Sequence, residues 1–274
     1  GAVEICDGLD NDCDGVADQG DTCPPGTEVT GVLDCDAQWT LAESPYLVTG
    51  NLLVPEGCSL SIEAGVVAKF AESAGCCNKL YMRVEGSLHA QGTGEAPIVF
   101  ASAASNPHKS AWSGLYYSGP ATTLSHVHFY HAGGGASQGK DCAISVEGDG
   151  LVVEHARFFD TEDAIELQGG FSGSLEVRDS VFERTHRGLL VAGSGAITVT
   201  GNRFIEAADP IYITSSYGGP QFLFTHNQVE DADGDGFRCD GPAPDIQVTS
   251  NIFDGGRVFL LSKCAPVFHG NHFL

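Results

Sequence analysis

Basic residues are scarce in this chain: 13 Lys and Arg stand against 36 Asp and Glu in 274 residues, for a formal charge of −23. Nucleic acid and anionic membrane surfaces both require a basic footprint, so the balance argues against either as a partner. No apolar run is long enough to cross a bilayer, which leaves no basis for membrane insertion. Methionine occurs once and long helical periodicities are few, so helix is expected to be a minor component. No paired CxxC sets at zinc-finger spacing occur among the ten cysteines, and their even number reads as disulfides. Disulfides place the protein in an oxidising compartment, secreted or on an extracellular surface. No signal peptide is present, and the numbering starts inside what reads as a mature chain, with a leader expected to have been removed or omitted.

What is present is glycine, acid and short β-type stretches. The 36 glycines imply many turns, and 42% hydrophobic residues suffice for one large core. Composition shifts near residue 36. Before it lie Asp, Gly, Pro and four cysteines (Cys6, Cys13, Cys23, Cys35), with too little apolar matter for a core. After it come stretches such as "YLVTGNLLV" and "CSLSIEAGVVAKF". The expected organisation is a small module at 1–36 joined to one all-β domain at 37–274.

That domain repeats itself. The stretches "SHVHF", "EHARF", "RDSVF", "TGNRF", "THNQV", "TSNIF" and "HGNHF" end at Phe129, Phe158, Phe182, Phe204, Val229, Phe253 and Phe273, at intervals of 29, 24, 22, 25, 24 and 20 residues. Each unit then carries two alternating apolar pairs, for example Leu189/Val191 and Ile197/Val199. With a two-residue side-chain period, each pair faces one way and the residue between faces the other. Three short apolar contacts per unit describe one coil of a solenoid, whose apolar face is buried only by stacking on its neighbours. Two residues before the Phe position stand Asn202, Asn227, Asn251 and Asn271, spaced to hydrogen-bond up the stack, and Asn tolerates left-handed turn geometry. The pattern resembles the right-handed parallel β-helix of the pectin-lyase-like superfamily, including its internal asparagine ladder. The resemblance covers roughly residues 39 to 274 and implies the fold; this scaffold carries many activities, so it does not imply a reaction.

In "GLDNDCDGVADQGD", acids fall at positions one, three, five, nine and twelve counting from Asp10, with Gly15 at six. This spacing wraps one hard cation in oxygen, with Asp10, Asp12, Asp14, Asp18 and Asp21 as carboxylate ligands and Val16 offering its carbonyl. Calcium is the expected ion, with an affinity on the order of 10⁻⁴–10⁻³ M for a lone extracellular site. Aspartate at the twelfth position is similar to thrombospondin type 3 and dockerin-type loops. The longer stretch "EICDGLDNDCDGVAD" resembles the MopE-type metal-binding repeat of bacterial surface proteins, a resemblance that brings copper into consideration. Residues 1–36 contain no histidine, and ligand hardness favours calcium. The alternative is an acidic turn stapled by Cys6–Cys13 that holds no particular ion. A weaker second candidate is "DADGDG", with Asp231, Asp233 and Asp235; it loses the pattern at Cys239 and Pro242, and a solvated acidic turn is the competing reading.

Acids recur after each Phe position, among them Asp163, Asp209, Asp231 and Asp233, and stacking would align them along one corner. Paired carboxylates there would suit a glycoside hydrolase. Arg184, Arg187 and Arg257 in the same corner suit a salt-bridge ladder instead, which is the favoured reading. Lyase chemistry is disfavoured, since the domain is poor in Lys and Arg. His126, His128, His131 and His155 form a candidate imidazole cluster, and Trp112, Tyr116, Tyr117, Tyr130, Tyr212 and Tyr217 a candidate sugar platform. Leu190, Tyr212 and Phe259 occupy outward slots, an apolar stripe covered by a partner or by a folded-back loop. Cys239 and Cys264 lie one coil apart and are expected to pair, while Cys58 and Cys142 are candidates for Cys76 and Cys77. The composite expectation is a calcium-binding surface or adhesive module without enzymatic turnover. Polysaccharide and end-to-end association with further copies are its candidate partners, and a polysaccharide-active enzyme is the alternative.

Overall fold

The computed structural model describes residues 3–7, 9–13, 16, 24–72, 79–135, 142–214, 220–243, 245–261 and 264–274. Every strand pairing is parallel, and consecutive coils lie directly on one another. Ten strands, from Ala37–Trp39 to Val267–His269, stack as one sheet, while the other nineteen form two further walls. Those two walls join at Tyr46–Val54, whose first half pairs with Val67–Phe70 and whose last residues pair with Tyr81–Val84. A representative coil runs Gln221–Thr225, Gln228–Ala232 and Phe237–Cys239, one strand in each wall. The architecture is a three-walled parallel β-helix.

The alternation of side chains explains why each segment lies where it does. In Gln221–Thr225, Phe222 and Phe224 are buried while Gln221, Leu223 and Thr225 face out. The solenoid begins at Thr27–Val32, which pairs with Tyr46–Val54, so the first rung lies inside the Cys/Asp-rich stretch. The disulfide Cys35–Cys58 fastens that rung to the next one. Cys239–Cys264 pairs across neighbouring coils as expected. Two other cysteine expectations are corrected. Cys58 is committed to Cys35, and Cys13 is a free thiol while Cys6 is disulfide-bonded, so no Cys6–Cys13 staple exists. Cys23, Cys76 and Cys77 lie outside the described residues.

Inside, like stacks on like. Phe100, Phe129, Phe158, Phe182 and Phe204 pile up with ring centroids 4.6–5.3 Å apart, and Phe253 lies 5.0 Å from Phe273. Val229 interrupts the pile, being too small to bridge its neighbours. Phe224, from another wall, fills the gap, 5.9 Å from Phe204 and 6.1 Å from Phe253. Each buried ring contributes about 1.5–3 kcal/mol of transfer free energy.

The asparagines form a continuous internal ladder. The Asn202 N–H donates to Asn227 Oδ1 at 2.9 Å, Asn227 to Asn251 at 2.8 Å, and Asn251 to Asn271 at 3.0 Å. Their Nδ2 groups donate to the carbonyls of Val177, Val199, Phe224 and Val248 on preceding strands. Ser180 prolongs the ladder: its N–H donates to Asn202, and its Oγ accepts from Ala156 N–H at 3.0 Å. The left-handed conformation expected of the asparagines falls instead on the residue before each. Asp179, Gly201, His226, Ser250 and Gly270 have φ of 51, 70, 55, 58 and 65°. That residue reverses the chain so that the next amide points inward. Elsewhere stacking leaves no room for a side chain, and a Cβ on Gly119 would collide with the carbonyl oxygen of Gly86.

Replacing Asn227 by Ala strands the Asn202 N–H and the Val199 carbonyl in the interior. Urea denaturation should show a stability loss of about 2–4 kcal/mol, and a loss near zero would contradict the ladder's role.

Candidate functional site

The acidic loop at the N-terminus folds around a residue that its spacing did not include. Glu4 is only 5% exposed, and its Oε1 accepts the N–H groups of Asn11 at 2.8 Å and Asp12 at 2.9 Å. Asn11 Oδ1 in turn accepts from Ile5 N–H at 2.9 Å, and Asp7 Oδ1 accepts from Leu9 N–H at 3.0 Å. These bonds curl residues 4–12 so that carboxylate oxygens of Glu4, Asp10 and Asp12 lie within 4.8 Å of one another. Two expected ligands, Asp10 and Asp12, are therefore brought together. Val16 sits on the surface at 37% exposure, and Asp14, Asp18 and Asp21 fall outside the described residues. No basic residue occurs between Val3 and Cys13 to balance these charges. Three hard oxygen donors without nitrogen or sulfur fit calcium better than copper. Glu4 escaped sequence reasoning because it precedes the twelve-residue pattern; the available signal was an acid set between Val3 and Ile5 just upstream.

Asp231, Asp233 and Asp235 are placed differently. Asp231 takes a left-handed φ of 51° at a register shift in the sheet, and both it and Asp233 face solvent. Asp235 turns inward, ion-paired with Arg257, while its N–H donates to Asp209 Oδ1 at 2.9 Å. Among the described residues, Glu4, Asp10 and Asp12 form the one acidic group close enough to share an ion.

The acidic corner is a ladder of ion pairs. Arg184 meets Asp160 at 3.2 Å and Arg187 meets Asp163 at 3.0 Å. Register explains this, because Asp163, Arg187 and Asp209 occupy the same slot on successive coils. Along the same wall runs an outward row of Glu166, Leu190, Tyr212, Arg238 and Phe259. The Arg238 guanidinium lies 4.4 Å from the Tyr212 ring centre and 5.3 Å from that of Phe259, with Arg187 and Arg257 at 5.5 and 5.8 Å from Tyr212 and Phe259. Tyr212 donates its hydroxyl proton to Asp240 at 2.7 Å, and Arg238 donates to the same oxygen. Burial raises the Asp240 carboxyl, yet hydrogen bonds from Arg238 and Tyr212 outweigh it and hold the group below the usual range.

The wider aromatic platform does not assemble. Trp112 and Tyr117 are interior side chains, Tyr116 is buried and stacked on Tyr81, and Tyr130 is covered; Tyr217 lies outside the described residues. Nor do the histidines converge. His126 stacks on His155 at 4.6 Å, whereas His128 lies on the wall with its Nδ1 3.0 Å from the Tyr130 hydroxyl, and His131 occupies the next corner.

Burial, reinforced by Arg157 and His126, lowers the His128 pKa to about 4. The unfolded imidazole binds its proton near pH 6.5, so the folded state binds fewer protons between those values. Stability is complete above about pH 6.5 and falls as the pH drops toward 4, by roughly 3 kcal/mol at most. Thermal unfolding monitored across that window should show the fall, and His128→Gln should flatten it.

Two family models match the chain. Residues 33–140 match the pectate-lyase like beta helix domain, and residues 113–273 match the right handed beta helix region. No curated protein and no solved structure matches it.

Proposed function

We propose, from the premise that the chain belongs to the right-handed β-helix family, that it is a secreted or cell-surface calcium-binding protein with a structural or adhesive role. The observation that carries this reading is the convergence of Glu4, Asp10 and Asp12 in a segment devoid of positive charge. Like charges gathered this closely need a counter-charge, and a divalent ion bound by oxygen supplies it. Cross-coil disulfides at Cys35–Cys58 and Cys239–Cys264 support an oxidising, extracellular setting.

Carbohydrate is the ligand we assign to the outer wall. Tyr212 and Phe259, with the guanidinium groups of Arg187, Arg238 and Arg257 stacked over their rings, form a mixed aromatic and hydrogen-bond-donating strip. Turnover is not part of the proposal. A hydrolase needs one carboxylate free to protonate and another free to activate water. Asp163 is held by Arg187 and Asp209 accepts a backbone N–H, while Asp231 near the end of its strand and Asp233 in the bend after it are exposed.

Calorimetric titration should detect calcium in the native chain at millimolar concentrations. Asp12→Ala should weaken binding at least tenfold, and unchanged binding would remove these ligands from the assignment. On the wall, Tyr212→Ala should reduce retention on whichever glycan surface captures the native protein, with calcium affinity untouched.

A further inference from the structure

One corner of the solenoid carries a row of residues in the left-handed conformation, one per coil: His126, His155, Asp179, Gly201, His226 and Ser250. Each follows the last residue of a strand in the ten-stranded wall and donates its N–H to the next coil. Stacking brings two imidazoles together here only where consecutive coils both place histidine in this slot. His126 and His155 do so, with ring centroids 4.6 Å apart and planes 27° from parallel.

Strand register decides which nitrogen of His126 is available. Ser125 ends Thr122–Ser125 and lies beside Glu154, the last residue of Gly150–Glu154, which in turn lies beside Arg178. Burial raises the Glu154 carboxyl, yet hydrogen bonds from Arg178 and Ser125 outweigh it and hold the group ionised, below the usual range. A carboxylate only accepts, so the Ser125 hydroxyl donates its one proton to Glu154. Its oxygen then accepts from His126 Nδ1, 3.1 Å away, and that nitrogen carries the ring proton. Partial burial and the neighbouring His155 keep the His126 pKa below its ordinary value, against the pull of Glu154, so the ring is uncharged near pH 7. Nε2 is left with a bare lone pair. The turn beside it holds Gly94, which brings no side chain there; a Cβ at that position would lie 3.8 Å from Nε2.

We propose that His126 and His155 bind a divalent first-row transition metal, zinc or copper(II), with water completing its shell. Imidazole nitrogen suits these ions, whereas calcium takes oxygen. Two nitrogens each about 2.0–2.1 Å from one ion lie no more than about 4.2 Å apart. Ring centres 4.6 Å apart stand close to that span, and the exposed His155 closes the difference by a small side-chain rotation. The Glu154–Ser125–His126 chain does what outer partners of a metal-binding histidine do: it fixes the tautomer and orients the ring. His226 supplies the internal comparison. Its Nδ1 lies 2.9 Å from Thr225 Oγ1, but Gly201 and Ser250 occupy its slot on the adjacent coils, so it has no second imidazole. The site belongs to the β-helix and does not depend on the calcium reading.

The test uses the full chain without an affinity tag, in millimolar calcium so that the acidic loop is occupied. One equivalent of copper(II) should give an electron paramagnetic resonance spectrum split by two imidazole nitrogens, and zinc should displace it. His126→Asn and His155→Asn should each weaken copper binding by about tenfold or more in calorimetric titration, while His226→Asn leaves it unchanged. Asparagine tolerates the left-handed conformation of this row. Splitting by fewer than two nitrogens in the native chain would overturn the site, even where a variant fails to fold. Unchanged binding in both paired variants, or an equal loss in His226→Asn, would also overturn it.

Discussion

Stacking in register is the constraint from which the rest of this structure follows. Coils about 4.8 Å apart place every side chain directly above its counterpart on the next coil. A slot that suits Phe158 must also suit Phe182, so the interior becomes ladders of like residues. Amides, which are costly to bury singly, become inexpensive when each satisfies the one below, as Asn202, Asn227, Asn251 and Asn271 do. The same registry acts outside, where an acid on one coil finds an arginine on its neighbour: Asp163 with Arg187, Glu183 with Arg157, Glu230 with Arg203.

That arrangement reconciles an acidic sequence with an ordered wall. The arginines are few, and most pair between coils, where they offset repulsion that stacking would otherwise impose. Acids left over face water, where they favour solubility. The N-terminal loop is the exception. Its carboxylates have no arginine nearby in the sequence, and their backbone wraps around Glu4, so the charge is gathered rather than dispersed. Gathering charge in that loop and pairing much of it along the walls separates an acidic element from a scaffold.

Much of this was legible beforehand, for a physical reason. Solenoid contacts are local in sequence, one coil apart, so the period, the Phe positions, the asparagine row and Cys239–Cys264 could be read by alignment alone. Features that cross between walls could not. Phe224 repairing the gap at Val229 joins two ladders, and nothing in either repeat announces it. The aromatic residues misled for the same reason: Tyr117 and Tyr212 are chemically alike, yet one lies inside and one outside, and only their phase in the strand distinguishes them.

The sequence by itself determined the coil: its length, which residues face inward, where the buried amides stand, and which loop collects acid, because each depends on neighbours within one repeat. Tertiary structure alone decided that Glu4 joins Asp10 and Asp12, that Asp235 turns toward Arg257, and that Leu9 lies against a distant wall. Those outcomes depend on how the N-terminal segment folds back and how each corner turns. Repetition fixes neither, since both juxtapose residues that no repeat relates.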